Sequence, residues 1–95
     1  MDYRFLRFHV HDKYQEAFKK AFIEVLNHTS QEEGCVYIHG YQERQDPNTF
    51  RIQSCWKSQQ AFDAHINTEH VQQFGERTKD MKDEPGEMFI TDRIV

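Results

Sequence analysis

The sequence predicts an α+β fold in which a ferredoxin-like β-α-β-β-α-β order builds one antiparallel sheet. Three observations predict it. Residues 14–26 carry a continuous apolar face at helical spacing. Two runs rich in strand formers flank the turn residues Asp46, Pro47 and Asn48, so they pair as an antiparallel hairpin. A second helical stretch begins near Ser58 and is followed by a closing strand-like run. With 95 residues, one domain over 1–95 is expected.

Residues 3–10 alternate imperfectly, with Phe5, Leu6, Phe8 and Val10 placing apolar groups on both faces, as in a strand covered on both sides. Asp12 offers an N-cap oxygen, and Gln15 three residues later completes a box-like pattern. Tyr14, Ala17, Phe18, Ala21, Phe22, Val25 and Leu26 then share one helical face, opposite Glu16, Lys19, Lys20 and Glu24. Gly34 marks the turn that follows. Residues 35–42 read as the second strand and residues 50–56 as the third, with Phe50, Ile52, Ser54 and Trp56 on one side and Arg51, Gln53 and Cys55 on the other. Ser58 caps a short helix bearing Ala61, Phe62, His65 and Ile66 on one face. Thr68 is placed to cap another segment, with Val71, Phe74, Thr78 and Met81 inward. Pro85 and Gly86 interrupt, and residues 88–95 close the chain as a strand.

Leu, Ile, Val and Phe together make up 21 of the 95 residues, about 22%. That lies barely above the roughly 20% below which a highly charged chain stays disordered. Eight Phe, four Tyr and one Trp reject disorder. A chain so poor in aliphatic residues is expected to build its core from aromatic rings and to need a partner to complete it. No stretch approaches the ~18 apolar residues of a membrane span, and no signal-like segment opens the sequence, so a cytoplasmic protein with reduced Cys35 and Cys55 is expected. A net charge of −4 without a basic stripe argues against nucleic acid as a partner. Six histidines would carry the formal charge to +2 if all were protonated, so behaviour should change below about pH 6.5.

The Glu33-Gly34-Cys35 step, Asp46-Pro47 in the hairpin, Trp56-Lys57-Ser58, and Ala61-Phe62-Asp63-Ala64-His65 running to Glu69-His70 resemble the antibiotic biosynthesis monooxygenase family. The resemblance spans roughly residues 5–94. It implies a homodimer whose two sheets pack face to face as a dimeric α+β barrel, and a pocket between helices and sheet that works without metal or flavin cofactor. It also implies direct oxidation of electron-rich phenolic, quinol-like substrates by O2. The Gln31-Glu32-Glu33-Gly34 step and His65 are similar to an autoinducer-processing subgroup, which leaves a small-molecule isomerase or degradation protein as the alternative. A haem-degrading subgroup carries a first-strand Asn, a Trp and a later His where this chain has Leu6, His65 and Gly75, so haem chemistry is not expected. Many members have a Glu at the position of Ser54, and the polyketide-oxidising type has polar groups near Ile52 and Phe62.

Oxidation without a cofactor needs a base to deprotonate the substrate and a dry pocket to hold the anion with O2. His65 is the first candidate base, because it shares the apolar helical face with Phe62 and Ile66; the competing reading is a core histidine bonded to a backbone carbonyl. The candidate substrate contacts are Trp56, Phe62, His70, Phe74, Phe22 and Leu6. Trp56 either stacks an aromatic substrate or plugs the sheet beneath the second helix. His70 either lines the pocket mouth or is a terminal surface group, and the phenylalanines serve equally as core. His39 shares a strand face with Cys35, Tyr37 and Tyr41, a face suited to a dimer interface. His9 and His11 are expected to be exposed, and His28 carries no assignment. No metal site is expected. His65 and His70 are about 500° of turn apart on a continuous helix, which sends them to different sides. A non-catalytic dimeric ligand-binding domain is the remaining reading.

Overall fold

A computed structural model describes residues 1–95. Its elements are β1 (Asp2–His9), a short 3-10 turn (Asp12–Tyr14), α1 (Gln15–Thr29), β2 (Cys35–Gln42), β3 (Thr49–Trp56), α2 (Gln59–Ile66), α3 (Glu69–Thr78) and β4 (Glu87–Thr91). The sheet runs β2-β3-β1-β4 with every pairing antiparallel. The helices cover one face of it, and this is the ferredoxin-like α+β fold that the element order predicts.

The core is aromatic. Phe18 and Phe22 of α1 meet Phe50 of β3, with ring centroids 4.9 Å apart for Phe18–Phe50 and 5.4 Å for Phe22–Phe50. Val10 and Ile52 complete the buried cluster, with Phe8 and Phe74 packed against it. The tilted and edge-on contacts suit the ring quadrupole, so a few large side chains replace the missing aliphatic ones. No helix is long and apolar enough to cross a membrane.

Several local expectations are corrected. Asp12 does not cap α1: the chain passes through the 3-10 turn first, and the Asp12 carboxylate instead accepts from the Asn48 amide at 3.4 Å. Thr68 precedes α3 but its hydroxyl donates back to the His65 carbonyl at 2.7 Å rather than capping the new helix. Ser58 does cap α2, accepting from the Ala61 N–H at 3.1 Å. The last strand ends at Thr91, leaving Ile94 and Val95 exposed. A bulge between Cys35 and Tyr37 turns Cys35 toward the helix side with its partner Trp56, while Tyr37, His39 and Tyr41 stay on the opposite face. His9 is half-buried and bonded to Asp83 at 2.7 Å, not exposed.

β1 is covered on one face only in the single chain. Arg4, Leu6 and Phe8 point to the helices, whereas Phe5 is 41% exposed on the open side. Arg4 is an unexpected inner residue; its guanidinium pairs with Asp2 at 2.7 Å and lies 3.9 Å from the Phe62 ring centre.

Candidate functional site

A cavity of about 130 Å³ lies between the helices and the sheet. Its walls are apolar except for Thr29, Ser54 and His65. Thr29 is spent on the helix, donating to the Val25 carbonyl at 2.7 Å. Ser54 is spent on the sheet and on Trp56: its hydroxyl donates to the Arg4 carbonyl at 3.0 Å and accepts the indole N–H at 3.2 Å. That leaves His65 as the one lining polar group with capacity for a ligand. Its ring packs 4.5 Å from Trp56 and 5.6 Å from Phe62.

Of the residues singled out from sequence, His65, Trp56, Phe62, Phe74 and Leu6 all line this cavity. Phe22 lies outside it, in the core and beside a separate open groove of about 340 Å³ between α1 and β2. His70 also lies outside it, in an outer groove of about 130 Å³ between α1 and α3, where its ring stacks on His28 at 5.6 Å.

Glu32 is the residue that sequence reasoning missed. Its Oε2 accepts from His65 Nδ1 at 2.6 Å and from His70 Nε2 at 2.8 Å. A carboxylate oxygen only accepts, so the ring nitrogens facing it carry protons. His65 is thereby fixed in the tautomer that leaves Nε2 as an unprotonated nitrogen, and Nε2 has no protein partner. The two histidines do not diverge as on a continuous helix, because the helix breaks. Asn67 and Thr68 close α2 through N–H bonds to Ala64 and His65 carbonyls, and α3 restarts at Glu69 after Thr68 takes extended backbone angles. Glu32 reaches them from the turn after α1, which is closed by the Glu32 N–H to Thr29 and the Cys35 N–H to Glu32. Gly34 brings that turn against α2: a Cβ there would stand 2.5 Å from the Ala61 Cβ. The sequence signal was available only as the Glu-Glu-Gly-Cys step, which names no partner.

Burial lowers the His65 pKa from its ordinary value; the Glu32 bond works against this, and positive charge on His70 adds to it. Burial and the His70 charge thus favour the neutral imidazole. The Cys35 thiol is pushed up to about 11 by burial and the nearby Glu32 charge, which favours the protonated thiol at neutral pH. Glu32, His65 and His70 bring three donor atoms within 4.8 Å of one another. Without an ion, the three are joined by hydrogen bonds of 2.6 and 2.8 Å.

The family model described as antibiotic biosynthesis monooxygenase matches residues 3–77. A Synechocystis sp. protein of uncharacterised function is 30% identical over 81 residues, covering 83% of this chain and 53% of that protein, so the chain spans about half the length of this relative. A solved antibiotic biosynthesis monooxygenase superposes with TM-score 0.96 at 19% identity over 100% of both chains. PA3566 from Pseudomonas aeruginosa gives 0.93 at 19% identity over 99% of this chain and 94% of its own. A conserved protein from Methanosarcina mazei Go1 gives 0.88 at 23% identity over 96% and 91%. These structural likenesses establish the fold.

Proposed function

The chain belongs to the antibiotic biosynthesis monooxygenase family, and from that premise we propose that it oxidises a small quinol-like aromatic with O2, without a cofactor, using His65 as the base. The observation that carries this reading is a histidine, held by Glu32 at 2.6 Å, as the uncommitted polar group of an apolar cavity. His65 Nε2 takes a phenolic proton, and the resulting anion is electron-rich enough to reduce O2. Trp56 and Phe62 provide flat, dry walls that keep the anion from water. For a simple hydroquinone the balance is quinol plus O2 giving the hydroxyquinone plus water, with the quinol supplying all four electrons.

Size narrows the substrate. An apolar cavity of about 150 Å³ accommodates one benzene ring, so a cavity of about 130 Å³ suits a single-ring quinol better than a fused polyketide. The apolar Ile52 and Phe62 in the wall agree with that choice. We also propose that the open sheet face carries a homodimer, since Phe5, Tyr41 and Phe89 are each 41–50% exposed there.

Oxygen uptake with a panel of single-ring quinols tests the reading. Wild type should consume O2 above the enzyme-free rate, and His65→Ala should lose about 100-fold or more. Equal rates in the two would remove His65 from the chemistry. A ligand-binding domain without turnover is the second reading, favoured by Ser54 being fully engaged with Arg4 and Trp56. Tight binding of an aromatic with no product formed would establish it, whereas an isomerised product without O2 uptake would point to the autoinducer-processing type.

A further inference from the structure

Glu32 is one carboxylate facing two imidazoles, and those imidazoles lie on two different surfaces. His65 lines the inner cavity and His70 lines the outer groove. Their ring centres are 6.1 Å apart, and both bond the same Oε2. One carboxylate balances one positive charge. The site is only partly exposed, with side-chain exposures of 13% for His65, 22% for His70 and 17% for Glu32, so a second uncompensated cation there is unfavourable.

We propose that Glu32 couples His65 and His70 into a pair that carries a single positive charge, so that His70 gives up a proton to the outer groove when His65 takes one from substrate and takes one back when His65 returns its proton to the reduced oxygen. This rests on the base role assigned to His65. When His70 is protonated, it forms the ion pair with Glu32. Arrival of the substrate proton on His65 Nε2 transfers that pairing to His65, and His70 releases its Nδ1 proton to water in the outer groove. One proton enters at His65 and one leaves at His70; when His65 hands its proton to the reduced oxygen as water forms, His70 takes one back from the groove, so the net reaction releases none and nothing crosses Glu32. His70 Nδ1 has no protein partner, and its ring borders the groove, so the release route is open. The remaining charged and titratable neighbours are His28 stacked on His70, Glu24 and Arg77 in the outer groove, Cys35 beside Glu32, Glu33 and Lys57 in the surface cleft that Glu32 also borders, and Arg4 over Phe62. Glu32 is here a positioning residue.

Two measurements test the pair and separate its failure from failure of the proposed oxidation. Histidine-labelled NMR titration needs no substrate. In wild type, protonation of either ring should perturb the titration of the other; Glu32→Gln should abolish that dependence, and His70→Gln should leave His65 titrating in one step at higher pH. Independent titrations in wild type, or an unmoved His65 in His70→Gln, overturn the coupling. The second measurement is O2 uptake with methylhydroquinone. His70→Ala should turn over roughly tenfold more slowly, and millimolar imidazole in the buffer should restore it, while His65→Ala is not restored. A His70→Ala loss that imidazole leaves unchanged overturns this role for His70. If wild type consumes no O2, the oxidation fails and the titration alone decides the pair.

Discussion

Ser54 shows how a single residue holds this site together. Its hydroxyl joins the Arg4 carbonyl to the Trp56 indole, all of them buried. Ser54→Ala leaves the indole N–H without an acceptor and should cost about 1–3 kcal/mol, read as a lower midpoint in urea denaturation. His9 makes a pH prediction. Its pKa is raised, first by the Asp83 bond, and Asp83 and Asp46 are lowered by their bonds to His9 and Thr49 respectively. The His9 contribution is therefore complete below about 6.5 and is lost as pH rises through the raised folded value. The Asp contributions are present above about 3.8 and disappear as pH falls through the lowered folded values. Buried His65 works the other way: its folded pKa is lowered, so it destabilises as pH falls below 6.5 toward that value. Wild type should thus exceed His9→Gln in Tm by more at pH 5.5 than at pH 8. A constant gap across that range would refute the ion-pair assignment.

At the scale of elements, the glycines separate two kinds of constraint. Gly34 is a packing glycine, needed because the turn carrying Glu32 lies on Ala61 of α2, and Gly34→Ala should cost about 1–3 kcal/mol while displacing Glu32 from His65. Loss of the NMR coupling between His65 and His70 would accompany it. Gly75 meets nothing within 4 Å in the interior of α3, so Gly75→Ala should raise stability by about 0.5–1 kcal/mol in the same denaturation assay. Sequence periodicity located α1 and β2 well, since each carries its own repeat of apolar or strand-forming residues. It misplaced the cap of α1 because the Asp12 carboxylate faces Asn48, 36 residues away, a partner no local pattern names. The bulge at Cys35 was equally hidden: one extra residue reverses the face of Cys35 while leaving the strand's composition unchanged.

For the whole molecule, the open sheet face is the feature with the largest consequence. Phe5, Phe89 and Tyr41 stand exposed beside the stacked Tyr37 and His39 rings, 5.2 Å apart. A homodimer through this face predicts that light scattering at micromolar concentration gives twice the chain mass, and that Phe5→Lys gives a monomer of lower Tm. A monomeric wild type would contradict the proposed assembly. The aromatic core explains why so few aliphatic residues suffice within the chain, and the bare face explains why a partner is expected to complete the burial.

The sequence by itself determined the element order, the helical face of α1, the hairpin at Asp46 and the place of His65 on the apolar face of α2, because each depends on neighbours within about ten residues. Only the tertiary structure decided that Glu32 meets His65 and His70, across separations of 33 and 38 residues. That meeting depends on where one helix breaks and how closely a turn packs on it. Long-range packing sets both, and the spacing of five that seemed to part the two histidines becomes, across the break, what joins them.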